Sequence, residues 1–122
     1  RIIFESDFIP AELARFIARL PADDFGINYD MGNSAALGYL PVEEFAAYGD
    51  RIVHLHVKDR VLGGTTVPLG TGNVDFPTVF GLLRNADYAG CLIMQTARAK
   101  DGDHAGKLQQ YMAMVEAWTQ GA

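Results

Sequence analysis

The chain has 122 residues, 49% of them hydrophobic, with a formal net charge of −5 and one cysteine. At this length a domain buries roughly two thirds of the surface its unfolded chain exposes, so a true core is expected. The acidic balance lacks the basic stripe of nucleic-acid binders, no apolar run approaches the ~20 residues of a membrane span, and a single cysteine excludes an internal disulfide. A cytoplasmic domain follows as the expectation, with a small molecule as its partner and neither nucleic acid nor membrane.

Residues 1–5 read as a short buried strand, and Arg1 leads into it with no linker or cap ahead, which predicts a missing upstream half. Pro10 suits the first turn of a helix running to about Leu20, with Leu13, Phe16, Ile17 and Leu20 at helical spacing. Pro21, Asp23 and Asp24 break that helix before a second strand at 25–30. Met31-Gly32-Asn33-Ser34 reads as a loop. Pro41 with Glu43 and Glu44 then opens a helix whose acidic first turn suits the dipole, and Gly49-Asp50 closes it.

A third strand spans 52–57, followed by a long excursion containing Gly63-Gly64-Thr65-Thr66 and Gly70-Thr71-Gly72; loops of this length in small domains are often functional. Asp75-Phe76-Pro77 opens a helix carrying Val79, Phe80, Leu82 and Leu83. Tyr88-Ala89-Gly90 turns into a fourth strand, 91–95, in which Cys91 reads as a small buried hydrophobe. The last helix follows Asp103, with Leu108, Tyr111, Met112, Val115 and Trp118 expected on its buried face.

Strand and helix alternate in four repeats, which predicts an α/β fold of four βα units with a parallel sheet, an arc of a barrel. The alternative is an open flavodoxin-like sheet. Such folds usually carry an early glycine-rich or acidic nucleotide site, and Gly70-Thr71-Gly72 has neither the fingerprint nor the position. In an isolated arc the sheet edges would demand either the upstream half or a second copy of the chain as partner.

Each strand ends on a residue able to ligate a metal: Glu5, Asp30, His56 and Gln95. The carboxyl ends of parallel barrel strands converge on one face, so these four are expected to meet there. Two carboxylates, an imidazole and an amide oxygen suit a divalent cation of the Mn²⁺, Mg²⁺, Co²⁺ or Zn²⁺ type. His54 and His56 share a face of an ideal strand, and periodicity leaves both open as the imidazole donor.

The segments FESD, NYDMGNS, IVHLHVKD, LGTGNVDF and YAGCLIMQTAR, in this order over nearly the whole chain, resemble the carboxyl-terminal half of the xylose-isomerase-like TIM barrels, and within them the sugar phosphate isomerase/epimerase branch. The resemblance implies that the units are strands 5 to 8 of a (β/α)8 barrel. It further implies that Glu5, Asp30, His56 and position 95 each deliver one metal ligand, and that Asn33 stands where many relatives place a substrate-contacting His. The implied reaction moves a proton next to a carbonyl of a sugar or sugar phosphate, with Glu5 as ligand and base and position 95 as the partner base.

Position 95 departs from that pattern. An amide coordinates through oxygen but accepts no proton near neutral pH, so Gln95 should cripple two-base epimerisation and leave the cation less neutralised. Two alternatives therefore accompany the isomerase or epimerase reading: a related dehydratase, and a non-catalytic sugar-binding barrel. AP endonucleases of the same fold use a richer histidine set, and Asn33 stands where an extra ligand of theirs is expected. Lys58, Arg98 and His104 are the remaining candidate substrate contacts, Arg98 and the helix start at Asp103 and His104 being suited to a phosphate, although Asp103 also reads as an N-cap.

Overall fold

The computed structural model describes residues 1–121. In chain order the elements are β1 (Ile2–Phe4), α1 (Pro10–Ala18), β2 (Phe25–Asp30), α2 (Met31–Leu37), α3 (Pro41–Tyr48), β3 (Ile52–Val57), β4 (Asp59–Arg60), β5 (Thr66–Val67), α4 (Phe76–Asn85), β6 (Cys91–Met94) and α5 (His104–Thr119). The main sheet has the order β1-β2-β3-β6, and every pair in it is parallel. A doubly wound sheet reverses its direction of growth at a switch point; this one advances without reversal, as the arc of a barrel does.

One face of the sheet packs beneath the helices. Ile27, Tyr29, Leu55 and Val57 meet Leu13 and Ile17 of α1, Tyr48 of α3, Val79, Phe80 and Leu83 of α4, and Tyr111 and Val115 of α5. Burial of these side chains from several elements is the main stabilising term, at about 25 cal/mol per Å² of apolar surface. On the other face, strand register sets Asn28, His54 and Cys91 in one row and Asp30, His56 and Ile93 in the next. That face is open: Ile93 is 41% exposed and Cys91 is exposed too, which corrects the reading of Cys91 as a buried hydrophobe. Its strand alternation points it away from the helices.

Three other expectations change. Residues 31–34 are the first turn of α2, because the Asp30 carboxylate accepts the Asn33 N–H and so caps a helix where Gly32 and Ser34 alone suggest a loop. The buried side of α5 is narrower than its periodicity implies: Leu108 and Met112 are 40% and 50% exposed, whereas Trp118 stacks on Phe76 with centroids 4.1 Å apart. The first helix stops at Ala18, and the Arg51 guanidinium receives the chain end by donating to the carbonyls of Ile17, Leu20 and Phe25.

The glycine-rich excursion after β3 is ordered by one carboxylate. Asp59 is fully buried; its Oδ2 accepts the Gly70 and Gly72 N–H groups at 2.9 Å each, and its Oδ1 accepts that of Val74 at 3.2 Å. A Cβ at Gly72 would lie 2.3 Å from Asp59 Oδ1 and 2.6 Å from the Arg60 carbonyl oxygen, so only glycine fits. Beside this anchor β4 and β5 pair as an antiparallel hairpin, absent from the sequence reading. Among the described residues no helix is long and apolar enough to cross a membrane.

Candidate metal centre

The carboxyl ends of β1, β2 and β3 bring Glu5, Asp30 and His56 together, with one ligand atom from each lying within 4.8 Å of the others. His56 Nδ1 stands 3.5 Å from Asp30 Oδ2 and 3.9 Å from Glu5 Oε2. Donors bound about 2.1 Å from one divalent cation sit at most ~4.2 Å apart, so the group needs only a slight contraction to close on an ion.

Hydrogen bonding leaves the right atoms free. Asp30 is 4% exposed and spends Oδ1 on capping α2 through the Asn33 N–H at 2.9 Å. Its Oδ2 and His56 Nδ1 are both buried without a hydrogen-bond partner. Orphaned polar atoms are costly in a protein interior, and His56 Nδ1, facing two carboxylate oxygens without a hydrogen bond, fits a cation. The Lys58 Nζ lies 3.3 Å from Asp30 Oδ2 at ion-pair distance, supplying charge compensation. Gly32 makes that approach possible: a Cβ there would sit 2.6 Å from the Lys58 Cγ.

Glu5 is more open and is held by amides. Asn28 Nδ2 donates to its Oε2 at 3.0 Å, and Asn33 Nδ2 donates to its Oε1 at 2.9 Å. The orientation of the Asn33 amide is set from the other side by Arg60 Nη1, which donates to Asn33 Oδ1 at 2.8 Å. Arg60 is itself tied to the Gly64 carbonyl through Nε and Nη2. A chain of donors thus runs from the hairpin to the carboxylate and fixes its rotamer. A pocket lined by Glu5, Ser6, Asp7, Asn33, Ala36, Leu37, Arg60 and Gly63 opens beside it.

Of the residues singled out in the sequence, Glu5, Asp30, His56, Asn33 and Lys58 therefore share one site. His54, one row down the strand, stands outside the group, and His56 is the histidine beside Glu5 and Asp30. Gln95 directly follows β6: its N–H donates to the Val57 carbonyl at 3.0 Å, carrying the β3–β6 ladder one residue further on the face of Ile93 and His56. Among the described residues its exposed side chain makes no hydrogen bond.

Arg98 lines a separate depression with Lys100, Asp101, Asp103 and Lys107. There the Asp103 carboxylate occupies the start of α5 by accepting the Gly106 N–H, and His104 Nδ1 accepts that of Ala99. Asn28 and Arg60 are site residues that the sequence reading lacks. Asn28 was legible in principle, two positions before Asp30 and hence on its face; Arg60 depends on a hairpin that no local pattern announces.

A family described as xylose isomerase-like TIM barrel matches residues 5–118. An inosose dehydratase of Clostridium tetani is 31% identical over 107 residues, covering 69% of this chain and 36% of that protein. Among solved structures, a xylose isomerase domain protein from Planctomyces limnophilus superposes with a TM-score of 0.78 at 21% identity, over 93% of this chain and 45% of the other. A D-allulose 3-epimerase from Methylomonas sp. superposes with a TM-score of 0.70 at 20% identity, over 93% of this chain and 48% of the other. The chain spans less than half the length of each of these proteins.

Proposed function

The chain belongs to the xylose isomerase-like TIM barrel family, and from that premise we propose that it supplies the metal-binding half of an isomerase or epimerase acting on a sugar or sugar phosphate. Glu5, Asp30, His56 and Gln95 would hold a divalent cation of the Mn²⁺, Mg²⁺, Co²⁺ or Zn²⁺ type. When bound, such an ion supplies Lewis-acid polarisation of a carbonyl. The observation that carries this reading is the convergence of one donor atom each from Glu5, Asp30 and His56 within 4.8 Å, with His56 Nδ1 buried and without a hydrogen-bond partner.

The protein residues divide the remaining work. Glu5, fixed by Asn28 and Asn33, is the base that takes a proton from the carbon next to the substrate carbonyl. Lys58 balances the charge of Asp30, and the polar pocket with Ser6, Asp7 and Asn33 receives substrate hydroxyls. Arg98 and His104 belong to this scheme only as outer contacts of a longer substrate.

A dehydratase is the second reading, favoured by Gln95 and by the inosose dehydratase name of the C. tetani relative. An amide provides no second proton-handling base, whereas loss of water needs one base to remove the α-proton and departure of the β-hydroxyl with a proton. A sugar-binding barrel without turnover is the third. Product NMR in deuterated water separates them: deuterium retained on an unchanged skeleton indicates isomerisation, an enone-type product indicates dehydration, and ligand-dependent thermal stabilisation without any product indicates binding alone.

Calorimetric titration with Mn²⁺ tests the metal site directly. The chain is expected to bind one ion, Asp30→Ala and His56→Ala to abolish binding, and Gln95→Glu to tighten it. Equal affinity in all four proteins would remove the basis of the proposal.

A further inference from the structure

On the helix side of β2, directly behind the metal-type group, lies a second polar cluster. Glu44, in the first turn of α3, is 1% exposed. Its Oε1 accepts the hydroxyl of Tyr29 at 2.9 Å, and its Oε2 accepts those of Ser34 at 2.5 Å and Tyr48 at 2.9 Å. Among the described residues no cation pairs with it. Removing a carboxylate from water is costly, and a leucine would fill similar space without that cost. What the carboxylate adds is direction, because it gathers hydroxyls from three elements at one point.

Those hydroxyls belong to neighbours of the site. Tyr29 sits between Asn28 and Asp30 on β2, and Ser34 follows Asn33 in α2. Helix α2 is seven residues long and starts at Met31 with no linker after Asp30, so small rotations of the helix carry Asn33 with them. Asn33 in turn donates its backbone N–H to Asp30 and its side-chain amide to Glu5.

We propose that Glu44 is a positioning residue for the metal-type group: by clamping Ser34 and Tyr29 it fixes α2 against β2, and so sets the Asp30 carboxylate and, through Asn33, the rotamer of Glu5. The proposal rests on the reading of that group as the working site, and its test has an arm that does not require a metal.

In metal-free protein the Asn33 side-chain amide is observed by ¹⁵N NMR, and Mn²⁺ affinity is measured alongside by calorimetry on the same folded chains. Ser34→Ala and Glu44→Gln are expected to shift the Asn33 amide signals and reduce their order, with Mn²⁺ affinity falling about tenfold, the scale of lost outer-shell support. Ser34→Thr, which keeps a hydroxyl, is expected to stay close to wild type. A purely structural role would lower the melting temperature and leave both readouts unchanged below it; that result in folded Ser34→Ala overturns the proposal, even if Glu44→Gln fails to fold. If the wild-type chain binds no Mn²⁺, the metal reading falls, and the Asn33 signals alone decide whether Glu44 positions the group.

Discussion

Lys58 reaches Asp30 only because residue 32 has no side chain, which makes a single methyl group a probe of the site. Gly32→Ala would place its Cβ 2.6 Å from Lys58 Cγ and 3.0 Å from Lys58 Cβ, so the lysine side chain must be displaced from its root. We expect a loss of about 1–3 kcal/mol by urea titration, the usual cost of overpacking a buried position. Without the competing ammonium, Mn²⁺ should bind more tightly than in wild type; weaker binding would mean that Lys58 supports the ligand geometry and does not oppose the cation.

Glu44 offers a pH test at the same scale. Burial raises its carboxyl above the ordinary value of 4.5, and the hydroxyls of Ser34, Tyr48 and Tyr29 pull it back only in part. The folded chain thus holds this proton more tightly than the unfolded chain. Its stabilising effect is complete below the ordinary carboxylate range and is lost as pH rises through the raised value. Tyr29, Tyr48 and Tyr39, the titratable groups around it, are raised in the folded chain and stay neutral over that span. Relative to Glu44→Gln, wild type should therefore lose stability as pH rises above about 4.5 through the raised value; parallel urea midpoints over that rise would contradict the sign.

Among the elements, the segment from β4 to the start of α4 is tied together by Asp59, while its Leu69 and Val74 join the apolar core. Three amide donors converge on this fully buried carboxylate. Asp59→Ala strands all three, and we expect a loss of about 3 kcal/mol or more in urea unfolding, the scale of hydrogen bonds to a buried charge. Arg60 leaves its place when the hairpin loosens, so the variant should also free the Asn33 amide. Leu55→Ala, at a fully buried position of β3, should cost a similar 2–5 kcal/mol through its cavity while leaving the hairpin intact. Exchange of the Gly70 and Gly72 amides separates the two: it should rise in the first variant far more than in the second.

For the molecule as a whole, the sheet is buried on one face and open on the other. Parallel sheets are ordinarily covered on both faces, and here β1 and β6 each have a free edge. We expect further strands, from a longer protein or a second copy, to close this arc. Cys91 reports on closure, since its exposed thiol lies on the open face. The isolated chain should react with a thiol reagent at the rate of a free cysteine, and slowly once the arc is closed; sedimentation at rising concentration shows whether a second copy does so. Protection of Cys91 in a monomeric chain would refute the open face.

The residue order alone determined the alternation of strand and helix, the parallel α/β class, and the recurrence of Glu5, Asp30 and His56 at strand ends, because periodicity and capping are local properties that short segments carry. Gly32 and Ser34 misled at 31–34, where the Asp30 cap that starts α2 was itself a local signal, three positions before Asn33, and outweighed them. The tertiary structure set His56, and not His54, beside Glu5 and Asp30, brought Asn28 to Glu5 and Arg60 to Asn33, and set Glu44 behind the site. Those choices depend on register and on hydrogen bonds between elements far apart in the chain, so no window of sequence contains both partners.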